Sequence, residues 1–162
     1  MNEQQLKILK FMTEVTGRVD MDAFSKKIGL SANQTIEQVK ELAKTGFVAK
    51  TGGGYGITEK GRTALKAYLS VSSNERFHFY TAISEPTGVS AGSIKEFYDL
   101  AQTVNTVSLE FHLYRGDFEN WIKTAANEPA FADELVGIKK TALKGESLRK
   151  TILAALKSHY GL

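Results

Sequence analysis

Between Asp20 and Gly46 the chain carries two helix patterns, each with its own start and stop signal, separated by a turn of only a few residues. Asp20 is placed to cap the first, whose apolar face is Met21, Phe24 and Ile28. Val19 and Phe24 are set to form a hydrophobic staple across its start, and Gly29 stops it. Ser31-Ala32-Asn33-Gln34 then reads as a capping box, with Ser at the N-cap and Gln three residues on. The helix it opens has Ile36, Val39, Leu42 and Ala43 as its expected buried face and ends at Gly46. Two helices joined by so tight a turn form a helix-turn-helix. An earlier helix, with Ile8, Phe11, Met12 and Val15 at i, i+3, i+4 and i+7, precedes the pair and ends at Thr16-Gly17.

The residues after Gly46 extend this pattern. Phe47-Val48-Ala49-Lys50 suits a strand, Thr51-Gly52-Gly53-Gly54-Tyr55-Gly56 a flexible hairpin tip, and Ile57 begins the return. Thr58 is placed to cap a fourth helix that buries Leu65, Tyr68 and Leu69. Leu42-Ala43-Lys44-Thr45-Gly46-Phe47-Val48, followed by Ile57-Thr58-Glu59-Lys60-Gly61-Arg62, resembles the winged helix-turn-helix regulators of the MarR and ArsR type in order and spacing. The resemblance covers about residues 3–70. It implies a winged helix and, with it, DNA binding.

Charge is consistent with such a partner without deciding the matter. The chain of 162 residues has a net charge of +3; residues 1–70 hold 11 Lys/Arg against 7 Asp/Glu, and residues 71–162 hold 10 against 11. A composition 42% hydrophobic and 24% charged is that of a globular chain. The absence of cysteine excludes disulfides, thiolate metal sites and a cysteine nucleophile. No apolar run approaches the roughly 20 residues of a membrane helix. The polar start leads straight into a helix, so the expected address is cytoplasmic.

The polar stretch from Ser70 to Glu75 places a linker at residues 71–76 and a second domain at 77–162. Phe77, Phe79 and Ile83 alternate with polar and small residues as in a strand, and Glu85-Pro86-Thr87-Gly88 reads as a turn. Ile94, Phe97, Tyr98 and Ala101 form a helical stripe with Ser90 or Ser93 as its cap. From Val107 to Leu113 the pattern fits a strand, whereas Leu109, His112 and Leu113 would equally share one side of a helix. Asp117 reads as an N-cap before Phe118, Trp121 and Ile122, with Phe111 and Leu135 expected beside Trp121 in the core. Phe131, Leu135 and Ile138 mark one further helix, and Leu148, Ile152, Leu153 and Leu156 the last. Glu96-Phe97, Ser108-Leu109-Glu110-Phe111-His112, Arg115-Gly116-Asp117-Phe118, Trp121-Ile122 and Ala132-Asp133-Glu134-Leu135 resemble a small uncharacterised domain found mainly in archaeal proteins. That resemblance, over about residues 77–140, implies a mostly helical fold and a helix at Leu109–Leu113, and implies no activity. The expected fold is mostly α with a small β wing: a winged helix over residues 1–70, then a mostly helical second domain.

A major groove admits one α-helix, whose N-terminal residues read base edges. Ser31, Ala32, Asn33, Gln34 and Thr35 open the third helix, and Gln38 lies one turn further on. Asn and Gln pair with adenine, and Thr touches a thymine methyl. Lys44, Lys50, Lys60 and Arg62 are the expected phosphate contacts, and Tyr55 on the Gly-rich tip is placed to enter a minor groove. Glu37 and Glu41 on the same helix oppose this, and the competing reading is a winged helix that contacts protein. The expected partners are double-stranded DNA, a second copy of the chain, and a protein partner through the C-terminal domain, which would dimerise, sense a ligand or bind that partner. His112 with Glu110, Tyr114, Arg115 and Asp117 is the densest polar cluster of the second half, read as a packed histidine rather than a general base. Gly88-Val89-Ser90-Ala91-Gly92-Ser93 before a helix has the form of an anion site, but it is read as a capped loop with no ligand. His78, His112 and His159 are too scattered for a metal site; no catalytic residue, metal or cofactor is expected.

Overall fold

The computed structural model describes residues 1–15 and 20–162. Thr16-Gly17 and Val19, on which the first stop signal and the hydrophobic staple rest, lie outside the described residues. The chain is mostly helical with two small antiparallel hairpins. It divides into two compact units, Met1–Lys66 and Ala67–Leu162.

In the first unit α1 (Glu3–Glu14), α2 (Met21–Ile28) and α3 (Ala32–Lys44) precede a hairpin of β1 (Val48–Thr51) and β2 (Gly54–Ile57), and α4 (Glu59–Lys66) closes it. The starts and stops follow local chemistry. The Asp20 carboxylate accepts from the amides of Asp22 and Ala23, and Gly29 ends α2 in the left-handed region at φ 74°. Both bonds of the Ser31–Gln34 capping box are made. Thr51 pairs with Gly54, so the hairpin tip is Gly52-Gly53 alone. Ile8, Leu9, Phe24, Val39, Leu42, Phe47, Val48, Ala64 and Leu65 form the core.

Three expected burials are corrected. Ile36 is 38% exposed and Met21 is also exposed. Thr35 takes the place of Ile36: it is fully buried, because its hydroxyl donates to the Ser31 carbonyl and its methyl then counts as core. Finally, α4 stops at Lys66, which leaves Tyr68 and Leu69 beyond it, Leu69 exposed.

Gly61 in α4 is fixed by space. A Cβ there would lie 2.1 Å from the Phe47 carbonyl oxygen, so the helix approaches β1 this closely only with glycine. The Thr58 hydroxyl accepts from the Gly61 amide and donates to the Gly46 carbonyl, tying α4 to the end of α3.

The second unit opens with a 3-10 turn, Ser73–Glu75, then pairs β3 (Phe77–Ala82) with β4 (Glu85–Ala91). Five helices follow: α5 (Ile94–Ala101), α6 (Thr106–Arg115), α7 (Asp117–Thr124), α8 (Pro129–Lys140) and α9 (Gly145–Tyr160). Phe77, Phe97, Phe118 and Trp121 make an aromatic cluster at its core, with Phe97 edge-on to Phe118 at 4.8 Å. The stretch from Val107 is helical, as the resemblance implied.

Residues 71–76, expected to be a linker, are built into this unit. The Val71 amide donates to the Gly92 carbonyl, and the Trp121 indole donates to the Glu75 carbonyl at 2.7 Å. Arg76 is held by Ser90 and Glu96. Polarity had marked a loop, but these groups find partners across the fold. Glu85-Pro86-Thr87-Gly88 lies in β4; the turn falls earlier, at Ile83-Ser84, where Ser84 takes φ 64°. Ile83 therefore leaves the strand face and is 76% exposed. Ser93 rather than Ser90 caps α5.

Candidate functional site

The expected DNA contacts in the first unit separate into those that still face outward and those that internal bonds occupy. Ser31 and Gln34 are bound to each other's backbone in the capping box. Thr35 is buried, which removes it from any DNA contact. The Gln38 amide oxygen accepts from the Asn2 side chain at 3.1 Å, across to the start of α1. The Lys60 ammonium donates to the Thr45 carbonyl at 2.7 Å and lies 5.2 Å over the Phe47 ring, so it works as a brace for the end of α3. Arg62 pairs loosely with Glu59 at 3.6 Å, and Lys44 pairs with Glu41 at 2.5 Å; both remain at the surface. Ala32 is half-buried.

Asn33, Lys50 and Tyr55 remain outward without an internal partner among the described residues. Lys50 sits opposite Tyr55 in the hairpin register, both exposed, so the ammonium and the ring share one face of the ladder. The exposed side of α3 carries Asn33, Ile36, Glu37, Lys40, Glu41 and Lys44: two acids, two bases, one amide and one apolar side chain. Ile36 was expected to be buried, but Thr35 joins Val39 and Leu42 on the buried face and leaves Ile36 at the surface.

In the second unit the polar cluster around His112 is closely organised. The Tyr80 backbone N–H donates to His112 Nε2 at 2.8 Å, so Nε2 is unprotonated and Nδ1 carries the hydrogen, donated to Asp117 Oδ2 at 2.7 Å. Burial holds the imidazole below its usual pKa, against the opposing pull of Asp117. His112 thus joins the outer edge of β3 to α6 and the start of α7, with both ring nitrogens engaged. Asp117 is the first residue of α7, behind Gly116 at φ 86°, and is not its cap. Its carboxylate instead faces His112 and Arg115 Nε, the latter at 3.2 Å. Phe111, expected in the core, is half-buried and forms one wall of a pocket of about 410 Å³ lined also by Tyr80, Ile83, His112 and Arg115. The signal for this wall was present: Phe111 and Arg115 stand four residues apart on one helix face.

The Gly88–Ser93 stretch is strand and cap rather than an anion loop. The Ser93 hydroxyl is taken by the Glu96 amide, and Glu96 reaches back to the Gly92 amide. That bond holds the Glu96 carboxyl below its ordinary range, with help from Arg76. Among the described residues no cluster of three or more His, Cys, Asp or Glu is arranged to hold a metal, and no helix is long and apolar enough to cross a membrane.

Residues 59–157 match a family described as a family of unknown function (DUF5752). The chain belongs to this family. The matched span begins with α4 and takes in the hairpin of β3 and β4, the pocket, α5 to α8 and most of α9. Residues 15–63 are similar to the HemN C-terminal domain, a span running from the end of α1 into α4. No curated protein and no solved structure matches the chain.

Proposed function

We propose that Met1–Lys66 is a winged helix that binds duplex DNA mainly through its phosphates, as the DNA-binding part of a regulator. The observation that carries this reading is the exposed hairpin that follows α3 directly, with Lys50 opposite Tyr55 and a two-glycine tip. In this arrangement α3 enters the major groove and the hairpin is the wing that follows the backbone. Lys40, Lys44 and Lys50 supply the phosphate contacts. Asn33 is the one expected amide reader whose side chain is still free to meet a base. With Gln34 and Gln38 spent on internal bonds, base readout is slight, and affinity falls in the non-specific range of about 10⁻⁴–10⁻⁶ M at physiological salt.

Fluorescence anisotropy with a labelled mixed-sequence duplex tests this reading. Three phosphate contacts give a slope of log K against log salt of about −3. A folded protein that shows no binding at low salt removes the proposal.

A second reading, contact with protein, is favoured by one observation: Ile36 lies exposed on α3 beside Glu37 and Glu41. The two readings part at the acids. If α3 lies against phosphates, Glu37→Gln and Glu41→Gln each tighten DNA binding by removing a repelled charge. If α3 meets protein, neither change moves DNA affinity.

A further inference from the structure

The pocket beside His112 has the parts of a site for a small organic acid. Its volume of about 410 Å³ lies in the range of small-molecule sites. Its lining includes the apolar side chains of Tyr80, Phe111 and Ile83, the last 76% exposed at the β3–β4 turn. The lining also holds Arg115, whose guanidinium lies 4.7 Å over the Phe111 ring while its Nε faces Asp117. Asp117 is in turn fixed by His112, and His112 by the β3 backbone. A chain of contacts thus orients the guanidinium. Its two terminal nitrogens make no hydrogen bond among the described residues, and the side chain is half exposed. A planar fork held in this way accepts a carboxylate through two parallel hydrogen bonds. Asp117 Oδ2 meets Arg115 at Nε, 3.2 Å away, and takes the His112 Nδ1–H, so the hydrogens on the terminal nitrogens are left for a ligand.

We propose that this pocket binds a small carboxylic acid with an aromatic or branched aliphatic body, the carboxylate on the free edge of Arg115 and the body against Phe111, Tyr80 and Ile83. This gives the family domain a sensing role and stands whether or not the first unit binds DNA.

The test is an NMR titration of the full chain with phenylacetate and isovalerate, with acetate and benzyl alcohol as controls for the charge and the body alone. At least one of the two acids saturates a single site, shifting the amides of Ile83, Phe111 and Arg115, and each control binds at least about tenfold more weakly. Arg115→Met weakens the acid by about tenfold or more, the effect of losing a charge-assisted pair. Ile83→Ser, at an exposed turn, weakens it less and leaves the fold intact, so it reports on the site even if Arg115→Met unfolds. No saturable binding of either acid overturns the proposal. Equal binding of acetate removes the apolar subsite, and equal binding of benzyl alcohol or undiminished binding by a folded Arg115→Met removes the role of the guanidinium.

Discussion

Met1–Lys66 buries nine apolar side chains among its described residues and Ala67–Leu162 buries twenty-one, so the two units rely on different kinds of interaction. The smaller unit is ordered by local chemistry: an Asn2 capping box on α1, the Asp20 cap on α2, a second capping box on α3 and the Thr58 clasp before α4. The larger unit is ordered by contacts far apart in sequence. Trp121 reaches the Glu75 carbonyl, His112 reaches the Tyr80 amide, and Arg149 reaches the carbonyls of Ala101 and Val104. A small core gains proportionally more from each satisfied helix end. A large aromatic core tolerates buried polar side chains where they find partners, as His112 does with Tyr80 and Asp117, and bears the cost of the Ser108 hydroxyl, which has none among the described residues.

The sharpest test of the larger core is Trp121→Ala. The indole is 6% exposed, packs on Phe77 and Phe97, and donates to Glu75. Its loss is expected to cost about 3–5 kcal/mol, enough to unfold a unit of ordinary stability. Urea denaturation followed by circular dichroism checks it. A variant as stable as the parent would place the tryptophan outside the energetic core.

His112→Ala comes next, at about 1–3 kcal/mol from the stranded Tyr80 amide, with some lost ring packing added. Its signature is in pH. The unfolded histidine takes up a proton as pH falls below about 6.5, while burial keeps the folded imidazole neutral to lower pH. Stability is therefore full above that value and declines as pH falls below it. His112→Gln keeps an acceptor for the Tyr80 amide and should lose this slope. Glu96 does not imitate the effect, since its depressed carboxyl loses its contribution only in and below the ordinary carboxylate range. An unchanged slope in His112→Gln would show that another group titrates.

Gly61→Ala probes the smaller unit where it is tightest. A methyl 2.1 Å from the Phe47 carbonyl forces α4 away from β1, and the expected cost is about 1–3 kcal/mol by thermal denaturation. A neutral result would mean that α4 shifts freely.

These contrasts also explain which parts were legible in the sequence. Asp20, Ser31 and Thr58 accept from amides within a few residues, and Gly29 donates to the Lys26 carbonyl three residues back, so their roles can be read from spacing alone. The α3 surface was harder, because nothing local distinguishes Thr35 as core from Ile36 as surface. Both fit a helical stripe, and packing against the rest of the unit decides. In the second unit, Glu75 and Arg76 looked like loop because their partners lie 46 and 14 to 20 residues away. Asp117 fitted a cap by type and position; only the fold brings His112 and Arg115 to its carboxylate. The polar cluster was visible as composition, but its pocket was not.

The smallest effect separates the cap from a DNA contact at Ser31. Its hydroxyl accepts from the Gln34 amide at 3.2 Å, and Gln34 answers to the Ser31 amide at 3.0 Å. Ser31→Ala breaks the first bond and weakens the setting for the second, for about 1 kcal/mol. Ser31→Asn supplies another good N-cap oxygen and should restore most of that stability. If Ser31 serves only the helix, DNA affinity measured where both variants are fully folded stays at the parent's value for each. Should Ser31→Asn recover stability but not affinity, the hydroxyl touches DNA as well, and the start of α3 lies closer to the phosphates than its capping role requires.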